Sequence, residues 1–218
     1  MNNYVTDDIQ VVNEDTKYPF LVCDNWFSPN EEKAVWSELN FYSHQDNINR
    51  AGNTIVATDS KGKPKSNAYR WYTAGYYKVG QHDFVSHIDR YGYKLREKKL
   101  HDQIDKCKPF SRSYFSTNNT TTLISYYEEN DSYKAHHDTF AWTILIWFAK
   151  QPQAFTGGDF DFPENKTQVN FKHNRAVLFP CCYLHRVSPV KFKEKPKEFG
   201  LGRWTITHFL YPSPVGQI

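Results

Sequence analysis

Arg203-Trp204-Thr205-Ile206-Thr207-His208-Phe209-Leu210 is the stretch on which the fold turns. A side-chain period of two puts Arg203, Thr205 and Thr207 on one face of an extended strand and Trp204, Ile206 and His208 on the other. A cation and two hydroxyls interleaved with bulky apolar residues suit a strand lining a polar pocket. An edge strand with one solvated face would give the same pattern. Upstream, Thr122 to Tyr127, Thr143 to Phe148, Gly158 to Phe162 and Arg175 to Phe179 are short segments rich in β-branched and aromatic residues. Loops containing Gly, Pro and Asn separate them, as in a β sandwich or barrel.

The first half reads differently. Residues 1–20 are polar and loosely extended, leading into a strand at Tyr18-Pro19-Phe20-Leu21-Val22-Cys23. A helix starts at Ser28, with Glu31 completing a capping box and Val35, Leu39 and Phe41 at near-helical spacing. Residues 43–68, with the Lys/Gly/Pro-rich patch 60–65, read as a long loop. A second helix is expected over about 80–106, where Phe84, Ile88, Tyr91 and Leu95 mark one face. Neither half alone has a complete core, so the change of period near 110 marks a layer boundary within one domain, residues 1–218. Residues 1–109 then supply an N-terminal strand and a helical support layer, and residues 110–211 the β core.

Bulk composition narrows the class. Aromatic residues make up 17% of the 218 positions, too many for a chain with nothing to bury them against. A net charge of +3 gives little electrostatic reason to expect nucleic acid as a partner. Cys23, Cys107, Cys181 and Cys182 form no CxxC pair and read as reduced, buried thiols. No basic-then-apolar leader is seen, and the longest apolar run, Ile144 to Ala149, is strand-sized. A soluble cytoplasmic protein with no membrane partner is the expectation.

The chemistry lies in the second half. His136 and Asp138 abut the run Thr143-Ile144-Leu145-Ile146-Trp147-Phe148, where an extended backbone projects residues i and i+2 to one side and turns His137 away. An HxD pair proves little alone, since His87 and Asp89 form a second one; that pair falls in the expected helix, where i and i+2 do not face each other. His185 follows a buried strand and by itself reads more readily as a rim residue than as a ligand. Two His and one carboxylate are the donor set that leaves open positions on a non-heme Fe(II), and a trailing Arg can clamp a carboxylate with two hydrogen bonds. Trp142, Trp147, Phe160 and Phe179 suit either an apolar wall around such a site or plain core. The aromatic groups at 69–72 and 76–77 read chiefly as packing between a helical layer and the sheet. The basic stretches 60–65 and 191–197 read as solvated loops.

The ordered segments Tyr127 to Asp138, Gly157 to Phe162, Phe179-Pro180, His185 to Val190 and Gly200 to Thr207 resemble the Fe(II)- and 2-oxoglutarate-dependent dioxygenases, in their prolyl 4-hydroxylase-like branch. The resemblance covers about residues 120–211, with a looser match around 19–40. It implies a mainly β fold with supporting α elements: a double-stranded β-helix (jelly-roll, cupin-like) core buttressed by N-terminal helices. It implies that His136, Asp138 and His185 bind Fe(II) and form the catalytic centre, and that Arg203 pairs with the distal carboxylate of 2-oxoglutarate. Tyr127 and Thr207 match positions lining the cosubstrate pocket, and Trp147 stands where a Tyr commonly touches that carboxylate.

The segment before Arg203 is longer than in the family and carries the basic insert 191–199, which makes Arg186 the fallback clamp. The implied reaction consumes 2-oxoglutarate and O2, with ascorbate as auxiliary reductant, and releases succinate and CO2 while hydroxylating a C–H bond. A protein or peptide residue such as proline is the first expectation for the substrate. The same chemistry on a small molecule or free amino acid is the alternative, and a non-catalytic jelly-roll module that binds metal or ligand is the reading from another class.

Overall fold

The computed structural model describes residues 9–48, 56–77 and 85–214. Thirteen strands are seen among these residues: β1 (Ile9–Val12), β2 (Phe20–Cys23), β3 (Tyr69–Tyr72), β4 (Asn119–Tyr127), β5 (Tyr133–His136), β6 (Trp142–Phe148), β7 (Phe155–Gly157), β8 (Phe160–Phe162), β9 (Thr167–Val169), β10 (Arg175–Pro180), β11 (His185–Val187), β12 (Val190–Phe192) and β13 (Arg203–Tyr211). The α-helices are α1 (Pro29–Tyr42), α2 (His87–Arg90), α3 (Lys98–Ile104) and α4 (Ser111–Phe115). A seven-stranded antiparallel sheet runs β1-β2-β10-β6-β13-β4-β3, and a smaller sheet runs β5-β11-β8-β9. A two-stranded ribbon, β12 with β7, closes one end. This is a mainly β, double-stranded β-helix architecture.

Strand parity divides the core in two. On β6, Trp142, Ile144, Ile146 and Phe148 face the helices, joined by Trp204 and Ile206 of β13 and by Val35, Leu39, Leu100 and Ile104. The alternate residues Leu145 and Trp147 face the small sheet, with Val177 and Phe179 of β10 and Phe160, Phe162 and Val187 opposite. A strand covered on both faces reads as a continuous apolar run, and all seven residues of β6 are buried. Trp142 therefore does not belong to a wall around the site. Its indole N–H donates to Ser113 Oγ at 2.9 Å on the helical side.

α1 begins as expected, with Pro29 in its first turn and the Ser28 N–H donating to Glu31 Oε2 at 2.8 Å. Its inner face is Val35, Leu39 and Tyr42, while Phe41 is 46% exposed. The near-helical spacing therefore mis-phased the last turn by one residue. The expected helix over 80–106 is three short pieces: α2, a 3-10 segment Tyr91–Arg96, and α3 after an extended Glu97. Gly92 between two tyrosines is a weak helix former, and burial of Leu95 and Leu100 sets the path instead. Phe84 lies outside the described residues.

Three segments of the first half differ from expectation by joining sheet structure. Ile9–Val12 is an edge strand on β2. Tyr69–Tyr72 is the opposite edge strand, paired to β4 with Arg70 across from Ser125. Within the expected loop 43–68, residues 57–65 form a small hairpin-like turn: Lys65 N–H donates to the Ala57 carbonyl, and Asp59 Oδ1 accepts from the N–H groups of Lys61 and Lys63. Residues 49–55 of that loop lie outside the described residues. All four cysteines are free thiols; Cys182, expected buried, is exposed, because it sits in the turn between β10 and β11.

Candidate metal centre

β5 and β11 pair antiparallel with His136 directly across from His185. Their ring centroids are 4.3 Å apart. Asp138 follows β5 in an extended segment fixed by its N–H donating to the Cys181 carbonyl at 3.2 Å. The carboxylate reaches both rings: Oδ1 lies 3.7 Å from His136 Nε2 and Oδ2 lies 3.6 Å from His185 Nε2. The three donor atoms lie within 4.8 Å of one another, the one such group of three found among the described residues. His87 and Asp89 are not part of it; they sit on α2, where the Asp89 N–H donates to Ser86 Oγ at 3.0 Å.

The supporting contacts suit metal binding. His136 Nδ1 is 2.8 Å from the Lys134 carbonyl and His185 Nδ1 is 2.9 Å from the Tyr183 carbonyl. A carbonyl only accepts, so each ring carries its proton on Nδ1 and turns the Nε2 lone pair to the site. Burial pushes the His136 pKa down to about 3, helped by the neighbouring His185, and burial also lowers that of His185. Both imidazoles are neutral at pH 7, as ligation requires. Thr143 Oγ1 donates to Asp138 Oδ2 at 2.6 Å and orients the carboxylate. His137 turns aside, with Nδ1 against the Cys182 carbonyl at 3.0 Å.

The centre opens into a cavity of about 490 Å³ between the two sheets, walled by Tyr127, Leu145, Phe160, Val187 and, from β13, Arg203, Thr205 and Thr207. The alternation read from the sequence thus puts its polar face into this cavity. Arg203 is fully buried; one terminal nitrogen donates to Thr205 Oγ1, while Nε and Nη2 have no hydrogen-bond partner among the described residues. The rings of Tyr127, Trp147 and Phe171 surround its guanidinium at 5.1, 5.2 and 5.7 Å. Burial pushes its pKa down to about 10, with Tyr127 and Asp159 opposing the shift, so the cation persists at neutral pH.

Trp147 lies against this cation and does not form part of the cavity wall, and its Nε1 is also without a partner among the described residues. Buried unsatisfied donors cost about 1–3 kcal/mol each, so the two free donors of Arg203, which lines the cavity, fit an incoming carboxylate. Arg186 offers no such clamp: its side chain is 56% exposed and pairs with Asp161 at 2.9 Å.

The insert keeps Arg203 in place. β12 takes up residues 190–192, and the loop behind it ends where Tyr126 Oη accepts from the Gly200 and Gly202 N–H groups at 2.9 and 3.0 Å. Gly158, at φ +70°, passes so close that a Cβ there would sit 2.7 Å from Arg203 Cδ.

Sequence reasoning missed two residues of the site, Arg70 and Tyr133. The Tyr133 ring stacks on His136 with centroids 3.6 Å apart, and the Arg70 guanidinium lies 4.6 Å from the centroid of the same Tyr133 ring. The available signal was the alternation Tyr69-Arg70-Trp71-Tyr72. It puts Tyr69 and Trp71 in the helix-side core and Arg70 and Tyr72 on the cavity.

Residues 122–211, which include His136, Asp138, His185 and Arg203, match the family model of the 2OG-Fe(II) oxygenase superfamily. The fold is shared with a prolyl-4-hydroxylase from Pseudomonas putida, at 14% identity over 90% of this chain and 94% of that one, with a TM-score of 0.59. It is shared also with a viral collagen prolyl hydroxylase from Paramecium Bursaria Chlorella virus-1, described as a 2OG complex, at 14% identity over 93% and 100% of the two chains, TM-score 0.54. No curated protein matches the chain. Residues 122–211 are thus similar to the 2OG-Fe(II) oxygenase superfamily, and the fold is one shared with prolyl hydroxylases. No helix among the described residues is long and apolar enough to cross a membrane.

Proposed function

We propose that this chain is an Fe(II)- and 2-oxoglutarate-dependent dioxygenase that hydroxylates a C–H bond and releases succinate and CO2. The observation that carries the reading is one cavity holding both a donor set of two neutral imidazoles with a carboxylate and a buried guanidinium with unpaired donors. When bound, the metal with 2-oxoglutarate and O2 supplies the oxidising chemistry; the chain binds, orients and shields.

His136 and His185 offer Nε2 lone pairs held by their backbone hydrogen bonds, and Asp138 offers a carboxylate held by Thr143. Arg203 would receive the distal carboxylate of 2-oxoglutarate, backed by the Trp147 ring, and Tyr127 and Thr207 would complete that end. Leu145, Phe160 and Val187 line the cavity with apolar surface that limits water near the metal. Ascorbate would act as auxiliary reductant.

For the substrate, a proline-bearing peptide is the reading suggested by the fold's neighbours, and small molecules are the second reading, favoured by Arg70. A binding module without turnover could use the same donors and clamp, so formation of succinate is what separates it from the oxygenase. Anaerobic Fe(II) with 2-oxoglutarate should give a weak visible charge-transfer band, and calorimetry should detect cosubstrate binding. Silence in both measurements would overturn the oxygenase reading. Asp138→Ala should abolish succinate formation while Asp89→Ala retains it; equal loss in both would mean the wrong HxD pair was chosen.

A further inference from the structure

The cavity contains a second buried guanidinium that the cosubstrate reading does not use. Arg70 is 1% exposed, and its Nη1 and Nη2 have no hydrogen-bond partner among the described residues. It forms part of the same cavity wall as the metal centre. Its one close neighbour of note is the Tyr133 ring, which in turn covers His136. A cation–π contact holds the plane of the guanidinium but satisfies none of its edge donors.

Position separates the two arginines. Arg203 begins β13 opposite Tyr127, whereas Arg70 sits on β3, paired through Ser125 to Thr205. Hydroxyls of Ser125 and Thr205 therefore stand between two cations in the wall. Among the described residues the one carboxylate in that wall is Asp138, which is directed at the two histidines. A divalent metal would leave an excess of positive charge, and a doubly anionic cosubstrate would neutralise only part of it. One anionic group remains to be supplied, and Arg70 is where it would be paired. A peptide backbone carries no such charge, and a peptide supplies it only on an acidic side chain or at its C-terminus.

We propose that Arg70 recognises a carboxylate on the molecule to be hydroxylated, and that the substrate is a small organic acid seated beside the metal centre. Among the described residues the wall holds no acid free to pair with an ammonium, so a simple carboxylic acid suits it better than an amino acid. This rests on the dioxygenase reading. A cavity of about 490 Å³ is within the range of about 300–1,000 Å³ typical of small-molecule sites.

The test uses the full chain loaded with Mn(II) and 2-oxoglutarate and titrated by calorimetry with butyrate, benzoate and 4-phenylbutyrate, each against its amide. At least one acid should bind roughly ten- to a hundredfold better than its amide, as loss of a charge-assisted hydrogen bond predicts. Arg70→Gln should erase that preference while 2-oxoglutarate affinity stays within about twofold, and Arg70→Lys should restore part of it. The inference is overturned if no acid outbinds its amide in the wild type, or if the preference survives in Arg70→Gln. It is equally overturned if Arg70→Gln instead loses 2-oxoglutarate, which would make Arg70 the cosubstrate clamp. Failure of the dioxygenase reading looks different: the wild type would then bind no 2-oxoglutarate, and Arg203→Gln would change nothing.

Discussion

At the scale of single residues, the ligands owe their readiness to backbone carbonyls and one hydroxyl. Thr143 is the sole side chain seen donating to the Asp138 carboxylate, so Thr143→Val should weaken metal binding about 10–100-fold with little change in fold, as measured by Mn(II) titration. His208 makes a separate prediction. It is buried beside Thr122, and burial lowers its pKa to about 4. In the unfolded chain it takes up a proton near pH 6.5, while the folded chain refuses one until near pH 4. Stability is therefore undiminished above about pH 6.5 and falls as pH drops toward 4, by at most about 1.4 kcal/mol per pH unit from this residue. Denaturant melts of the wild type and His208→Gln across that window should differ in slope by that amount; parallel curves would refute it. His136, Asp138 and His185 were legible in the sequence because HxD beside an apolar strand and a distal His leave a local trace. Arg70 was not, since nothing near it in sequence says that its strand pairs with β4, some fifty positions on.

At the scale of elements, the strands of the second half were legible because period-two alternation and β-branched residues agree there. Short helical pieces were not, because tertiary burial sets where 87–104 breaks. The glycine pair at 157–158 shows how turn chemistry serves the site. A Cβ on Gly157 would lie 2.2 Å from the Pro189 carbonyl oxygen, and one on Gly158 would push into the aliphatic stem of Arg203. Both glycines have φ near +70°, a conformation costly for other residues. Gly158→Ala should therefore shift Arg203 and raise the KM for 2-oxoglutarate about tenfold or more, with a smaller loss of stability. An unchanged KM would show that the stem has room to move.

At the scale of the whole molecule, one sheet separates two cores, a helix-side one that supports and a site-side one that binds. Strand parity allots these residues to their sides, Trp142 included, and shows how an aromatic residue near the candidate ligands can belong to the other layer. Because the three ligands come from two paired segments of the small sheet, a bound metal should tie β5 to β11. Mn(II) at about 100 times its Kd should add about 2.7 kcal/mol, or roughly 5–10 °C in Tm, to the wild type and nothing to Asp138→Ala. A similar shift in the variant would show the ion binding elsewhere.

The Tyr126 hydroxyl, receiving two backbone N–H groups just before Arg203, has a consequence for how such a chain can change over time. It fixes the entry to β13 from within the sheet, so the position of Arg203 does not depend on how the preceding residues travel. The exposed span from Glu194 to Lys197, between the Lys193 backbone contact and the packed ring of Phe199, is thus free to lengthen, shorten or be exchanged for another sequence. Evolution and the laboratory alike can rework the rim there while inheriting the candidate metal centre intact.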